Sequence, residues 1–506
     1  MNGTVKGLIA GAAVLALLGG GFAALKLTEG DDNNSSSASD STAETEYTLC
    51  SQDVNNLASV DVENESGKYS IIRTYKGGND VETVVTDASG VESTTTVKDS
   101  SKYAIRNLED YGLDEALFPV MTEDLAGLTA NELISENAED MAVYGLEKPV
   151  AKVTLNFDDK TELKLLLGGE SLAGDIYVAI EGESKVYTVS PAKIKDFRED
   201  EKHFLSKLVL AKPGTDEAST VKSLSIKREN LDYEFLMEYD ETLWMFSAEQ
   251  SGGSLATLTI SKPAPAFLDL NKSTQVTDGM FGLTADTVYA TNVTESDVKA
   301  AGLDEPFCTV KMTAMNGLSY TLIISDYTTE NDIRHYYGMM EGGDTIYRFT
   351  ESILPWVTAT PDSIRSKLLF GSYIYHIDDL IVEISGKDKV EFDCSGTSDS
   401  DFAVKYKEME FDLKRFKDFF QALILSTTDE YCYDEEPTGK LYAKVSIVKN
   451  NELDDEIIEF YETDTRKLLI RKNGVTIAKC SKAFIDNALA PNLDLIEAED
   501  EFITNW

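Results

Sequence analysis

Residues 144–153 read YGLEKPVAKV, and residues 301–310 read AGLDEPFCTV. The spelling Gly-Leu-acid-x-Pro-x-x-x-Val therefore occurs twice, 157 positions apart. Other landmarks follow it in the same order. GLTA at 127–130 returns at 282–285, Glu181-Gly182 as Glu341-Gly342, Val186-Tyr187 as Ile346-Tyr347, and SKLVL (206–210) as SKLLF (366–370). The offset drifts only between 155 and 160 while the order holds. That is the signature of a duplicated unit of about 160 residues whose loops have changed length. The constraint on folding is severe, because whatever structure suits the first copy has to suit the second.

A third, shorter copy is expected further on. LIVEISGKDKVEF (380–392) resembles LSIKRENLDYEF (224–235) and VDVENESGKYSI (60–71). Each reads as a strand, a polar turn and a second strand. Pro437 precedes LYAKVSIV much as Pro149 precedes VAKVTLNF, and VTIAKCSKAFIDNAL (475–489) resembles VYTVSPAKIKDF (186–197).

Within a copy, KVTLNFDDKTELKLLLG (152–168) alternates with period two on both sides of Asp158-Asp159, and DIYVAIEGESKVYTV (175–189) does so around Glu181-Gly182. Two hairpins, and so four antiparallel strands, are expected after each Pro. DLAGLTANELI (124–134) reads as a helix leading towards Gly145, and PAKIKDFREDEKHFLSKL (191–208) as a closing helix. The duplicated motif is then a helix-to-strand corner. Gly ends the helix at positive φ, Leu enters the core, and Pro forces the extended start of the sheet. The fold class expected is α+β: tandem modules of antiparallel β-hairpins with short flanking helices, after one N-terminal transmembrane helix. The divisions are 1–28 for the anchor, 29–50 for a flexible acidic linker, and 51–215, 216–375 and 376–506 for three modules.

The anchor rests on GLIAGAAVLALLGGGFAAL, 19 uncharged residues between Lys6 and Lys26. At about 1.5 Å per residue such a helix spans the hydrocarbon of a bilayer. Lys6 on the short N-terminal side directs the rest of the chain outside the cytoplasm. Gly21-Phe22-Ala23 would also suit a signal peptidase, so a cleaved leader is the competing reading. EGDDNNSSSASDSTAETE (29–46) holds six acids and almost nothing apolar, which makes it a tether with no means of ordering itself. The whole chain carries 46 basic and 90 acidic residues, a formal charge of −44. Such a surface repels phosphate backbones, so no nucleic-acid partner is expected.

Five cysteines, at 50, 308, 394, 432 and 480, show no CxxC spacing, and His203, His335 and His376 lie near none of them. Neither a zinc site nor a regular disulfide framework is expected, and the thiols read as small buried hydrophobes. The chain has no HExxH, GxSxG or P-loop. Ser190-Pro191-Ala192-Lys193 fits S-x-x-K, but SDN and KTG partners are missing and Ser190 suits a helix N-cap. Asp158-Asp159 suits a turn, and RHYYGMM (334–340) suits a core strand better than a ligand platform. No catalytic, cofactor-binding or metal residue is assigned, and the chain is not expected to be an enzyme.

The Gly145-Leu146-x-x-Pro149 corner, the hairpin after it, the Val186-Tyr187-x-Val189 strand and the N-terminal apolar helix resemble the bacterial family labelled domain of unknown function 4340. The resemblance covers roughly residues 50–490. That family has an aromatic after the first hairpin, matched here by Trp244 but by no Trp in the first module. The resemblance implies an extracytoplasmic partner of membrane transport systems, among them neighbours of ABC-type transporters. The expectation is a membrane-tethered accessory or scaffold protein in the cell membrane, with an envelope or transporter protein as partner and no cofactor. The alternative is an extracytoplasmic binder of cell-wall glycan or peptide.

Overall fold

A computed structural model describes residues 47–86, 92–241, 243, 255–450 and 453–504. The apolar run 7–25, the acidic stretch 29–46 and Trp244 lie outside them. Among the described residues no helix is long and apolar enough to cross a membrane. The fold is mainly β-sheet with short helices, in the α+β manner. The chain forms two compact units. Of the described residues, one comprises those up to Leu208 with Ala285–Thr291, and the other those of Val209–Thr284 and from Asn292 onward.

In the first unit the strands are β1 (Leu57–Asn64), β2 (Gly67–Tyr75), β3 (Asp80–Thr86), β4 (Glu92–Lys98), β5 (Lys102–Ile105), β6 (Glu132–Ser135), β7 (Ala151–Phe157), β8 (Glu162–Glu170), β9 (Ile176–Ile180) and β10 (Val186–Val189). One sheet runs β5-β2-β1-β7-β8-β9-β10-β6, and β3 pairs with β4 in a ribbon of its own. The second unit opens with β11 (Val221–Arg228), β12 (Phe235–Tyr239), β13 (Leu255–Lys262), β14 (Ala266–Asp269), β15 (Cys308–Ala314), β16 (Ser319–Ile324), β17 (Ile333–Met340) and β18 (Thr345–Thr350), in the order β14-β13-β12-β11-β15-β16-β17-β18. It continues with β19 (Ile377–Ile384), β20 (Val390–Ser395), β21 (Ala403–Tyr406), β22 (Leu441–Lys449), β23 (Glu456–Glu462), β24 (Lys467–Lys472) and β25 (Val475–Ser481). These form a further sheet, β21-β20-β19-β22-β23-β24-β25, edged by Met409–Glu410 and Glu430–Tyr431.

In all three sheets the opening strand lies antiparallel beside the strand that follows the proline: β1 with β7, β11 with β15, β19 with β22. Val60 faces Leu155, Leu224 faces Met312, and Leu380 faces Ile447. All six of these side chains are buried. A register shift interrupts each pairing at its start, between Leu57 and Ser59, Val221 and Ser223, and Ile377 and Asp379. Since a slip of one residue would turn every apolar side chain to the other face, the alternating pattern holds each register. Helical segments cover the buried faces. Phe197 and Phe204 do so in the first unit, and the helix Leu413–Ile424 contributes Phe416, Phe419 and Phe420 around Phe392 in the second.

Gly145 and Gly302 both adopt left-handed backbone, φ 71° and 67°, and Leu146 and Leu303 behind them are buried. The element each glycine ends is not the long helix expected. Met141–Tyr144 is one 3-10 turn, and Glu295–Ala300 is a six-residue helix with a Thr294–Asp297 capping box. GLTANELI corrects the helical reading outright. Gly127 ends the short helix Glu123–Ala126, Thr129–Ala130 pairs as strand, and β6 pairs with β10. The closing helix is likewise broken into short turns at Pro191–Ile194, Lys195–Arg198 and Glu201–Phe204.

Candidate functional site

Within the second unit, the sheet that ends at β18 and the sheet that begins at β19 are stitched together by polar groups, most of them buried. Glu456, the first residue of β23, is only 2% exposed yet charged. Ser372 Oγ donates to it at 2.6 Å, the Gly371 amide lies at 3.3 Å, and Lys472 at the end of β24 is its ion-pair partner. Burial by itself would raise this carboxyl. The charges of Lys472 and Lys449, with the hydrogen bonds from Lys472 and Ser372, outweigh burial and hold it below its ordinary value. The Lys472 ammonium also stands 4.4 Å over the Phe267 ring of β14. The tip of that ring lies against Gly371, where a Cβ would lie 2.4 Å from Phe267 Cζ.

Two further bonds reinforce the seam. The Tyr431 hydroxyl donates to the Ala264 carbonyl at 2.7 Å and accepts from the Ala264 amide at 3.0 Å. Arg365, 3% exposed, donates from Nη1 to Thr428 Oγ1 and from Nε to Asp362 at 2.8 Å. A cavity of about 150 Å³ lies beside these groups, lined among others by Asp240, Phe267, Arg365, Thr428, Tyr431 and Lys472. Both of its cations already hold carboxylates, and burial raises the Tyr431 hydroxyl far above its usual range. The arrangement can hold a small polar guest, but its chief effect is to fix one sheet against the next.

A larger open groove of about 890 Å³ passes Gln275, Arg334, Glu351 and Ser363. Here Arg334 Nη1 and the Tyr336 hydroxyl both donate to Glu351 Oε2, at 2.9 and 3.1 Å. Burial and that bond push Tyr336 up to about 12. Arg334 also lies 4.6 Å over the Tyr327 ring.

The residues weighed from the sequence fall into structural roles. Ser190 sits at the N-cap position but makes no capping hydrogen bond, while Lys193 Nζ donates instead to Thr129 Oγ1 at 2.8 Å. The proline at the first helical position already sets the local backbone, so the expected side-chain cap is corrected. Asp158 pairs with Arg73 and Lys76, and Asp159 accepts from the Thr161 amide and hydroxyl across their turn. His203 Nε2 lies 2.9 Å from Asp196, whose carboxyl that bond lowers. His376 packs edge-on to Tyr373, and in RHYYGMM Tyr336 is buried. All five cysteines are buried and unpaired. Burial pushes Cys308, Cys394 and Cys480 up to about 12, which leaves them protonated at neutral pH. Glu456, Arg365 and Tyr431 escaped the sequence reading because a buried carboxylate at a strand start carries no local signal.

No curated protein and no solved structure matches the chain. Residues 105–306 match a family model, from the last residue of β5 through the first Gly-Leu-x-x-Pro corner to the proline of the second. This is a narrower stretch than the landmarks at 50–490 suggest. The family whose model residues 105–306 match is the one described as Domain of unknown function (DUF4340).

Proposed function

We propose that this chain is a membrane-tethered extracytoplasmic accessory or scaffold protein, a non-enzymatic component of an ABC-type transport complex. In this reading three copies of one β-module stand on an N-terminal anchor and act by binding another envelope protein. The observation that carries it is the seam at Glu456. A two-lobed ligand binder closes by bending at its junction. Bending here would draw Ser372 and Gly371 away from Glu456, leaving a buried carboxylate short of hydrogen bonds, and would part Lys472 from the Phe267 ring. A stiff arm suits a scaffold. The shared strand order and recurring register shift support descent of the modules from one unit. The apolar run 7–25 and the acidic tether support the membrane position, where a held body meets its partner at high effective concentration. The groove at Arg334 and Glu351 supports the alternative, a glycan or peptide binder.

The topology is tested by treating intact protoplasts with protease. The expected outcome is loss of the body from residue 47 onward, and a protected body would refute an extracytoplasmic position.

A further inference from the structure

The three sheets differ at one connection. After β8 the chain reaches β9 through residues 171–175, and after β23 it reaches β24 through 463–466. The corresponding link from β16 to β17 instead carries a further strand, Thr328–Glu330, which folds back on β17. Glu330 pairs with Ile333 across Asn331 and Asp332, both left-handed at φ 50° and 62°, the backbone of a tight two-residue hairpin turn. Ile333 and Arg334 lie beyond the last pair that β17 makes with β18, His335 with Thr350, so the hairpin overhangs the sheet. It is braced there. Arg348 holds Glu330, Arg334 holds Glu351, and the Arg334 guanidinium stacks on Tyr327. An element added to a shared scaffold, and held rigid, is where a binding function is built. The overhang forms one side of the open groove of about 890 Å³, through Asp332, Ile333 and Arg334. The helix Leu270–Asp278 lines it with Lys272, Gln275 and Val276.

The lining says what kind of guest fits. Its charged residues are Lys272, Arg334, Asp332 and Glu351, so the signs cancel. A phosphate or carboxylate polymer would meet no surplus of cations here, on a chain of net charge −44, and a basic guest no surplus of anions. A peptide strand would find no backbone ladder, because none of Thr328–Glu330, the outer strand of the hairpin, lines the groove. What remains is a supply of hydrogen-bonding groups of both kinds. The side chains of Asp332 and Gln275 hold no hydrogen bond or ion pair with another described residue. Arg334 spends only Nη1 on Glu351, and Glu351 takes both its bonds on Oε2, which leaves Oε1 and the other guanidinium donors for a guest. Hydroxyl groups both donate and accept, so vicinal hydroxyls bridge such neighbours, while Val276, Ile333 and Ile364 offer apolar surface to ring C–H faces. We propose that this groove binds a neutral oligosaccharide, with Gln275, Asp332, Arg334 and Glu351 taking its hydroxyls. Its size suits roughly two or three sugar units. The inference rests on the ligand-binding alternative and names its site and ligand class. It needs no bending at the Glu456 seam, since every lining residue lies between 272 and 364.

The test titrates the full chain in mild detergent, by calorimetry, with a panel of neutral di- to tetrasaccharides of glucose, galactose, mannose and N-acetylhexosamine. An uncharged peptide of similar size and an oligogalacturonate are run beside them. At least one neutral sugar should bind saturably, with an affinity that added salt leaves unchanged. Asp332→Asn and Gln275→Ala should each weaken it about tenfold. Ser352→Trp, which fills the groove, should abolish it. Asp332 and Gln275 are exposed, and Asn tolerates the left-handed turn, so unchanged melting curves for those two variants separate lost binding from lost folding. Three outcomes would overturn the proposal. Binding of no neutral sugar is the first. The second is binding that all three variants leave intact, which would put the glycan elsewhere and leave the ligand-binding alternative standing. The third is tighter binding of the peptide or the acidic sugar, which would keep the groove as a site and refute the ligand class.

Discussion

Gly145 and Gly302 make the same turn under different constraints. At Gly145 a Cβ would come within 2.9 Å of the Gly169 amide nitrogen, whereas at Gly302 its nearest neighbour is Ser325 Cβ at 3.8 Å. Both positions carry the left-handed backbone that a β-branched residue tolerates poorly, so Gly302→Val should cost about 1 kcal/mol or more. Gly145→Ala should exceed Gly302→Ala because it adds a steric clash to the strain. Thermal melts of the variants check this, and an unchanged melting temperature in Gly302→Val would contradict the cap. Glu456 yields a second prediction. Glu456→Ala leaves the Lys472 charge without its partner in the seam and should cost about 3 kcal/mol. The native carboxyl titrates below its ordinary value of 4.5. Protonation therefore favours the unfolded chain. The contribution is full above about pH 4.5 and is lost as pH falls through the depressed native value. Denaturant midpoints of the native chain and Glu456→Gln should differ at pH 7 and converge as pH falls through the depressed native value. A constant difference would contradict the ion pair.

At the scale of elements, the sequence was most legible where periodicity is local. The hairpins β7–β8 and β9–β10 fall where the alternation around Asp158-Asp159 and Glu181-Gly182 placed them. GLTANELI misled because a Leu-Ala-rich stretch has helical propensity while its place in the sheet is set by distant partners, β6 lying beside β10. The ribbon β3–β4 went unread because Thr-Val alternation with no buried face looks like any exposed segment. The seam at Glu456 was invisible for a different reason: its donors Gly371 and Ser372 lie more than 80 positions away. The helix Leu413–Ile424 is the element with the clearest single load. Phe416 is fully buried against Phe392 and Phe402, so Phe416→Ala should destabilise the second unit by about 3–5 kcal/mol. Calorimetry would contradict this packing role if the transition did not move.

For the whole molecule, the polar seam within the second unit, the net charge of −44 and the apolar run 7–25 of the sequence are what the proposed tethered scaffold rests on. The five thiols are buried and unpaired, and the carboxylates of Glu456 and Asp158 are held in ion pairs. The most direct measurement is purification of the full chain from its native membrane in mild detergent after brief crosslinking, with mass spectrometry of everything recovered. The account predicts reproducible recovery of transport-system subunits crosslinked to residues beyond 47. Recovery of the chain without them, together with saturable binding of a small glycan or turnover of a substrate by the body, would contradict it.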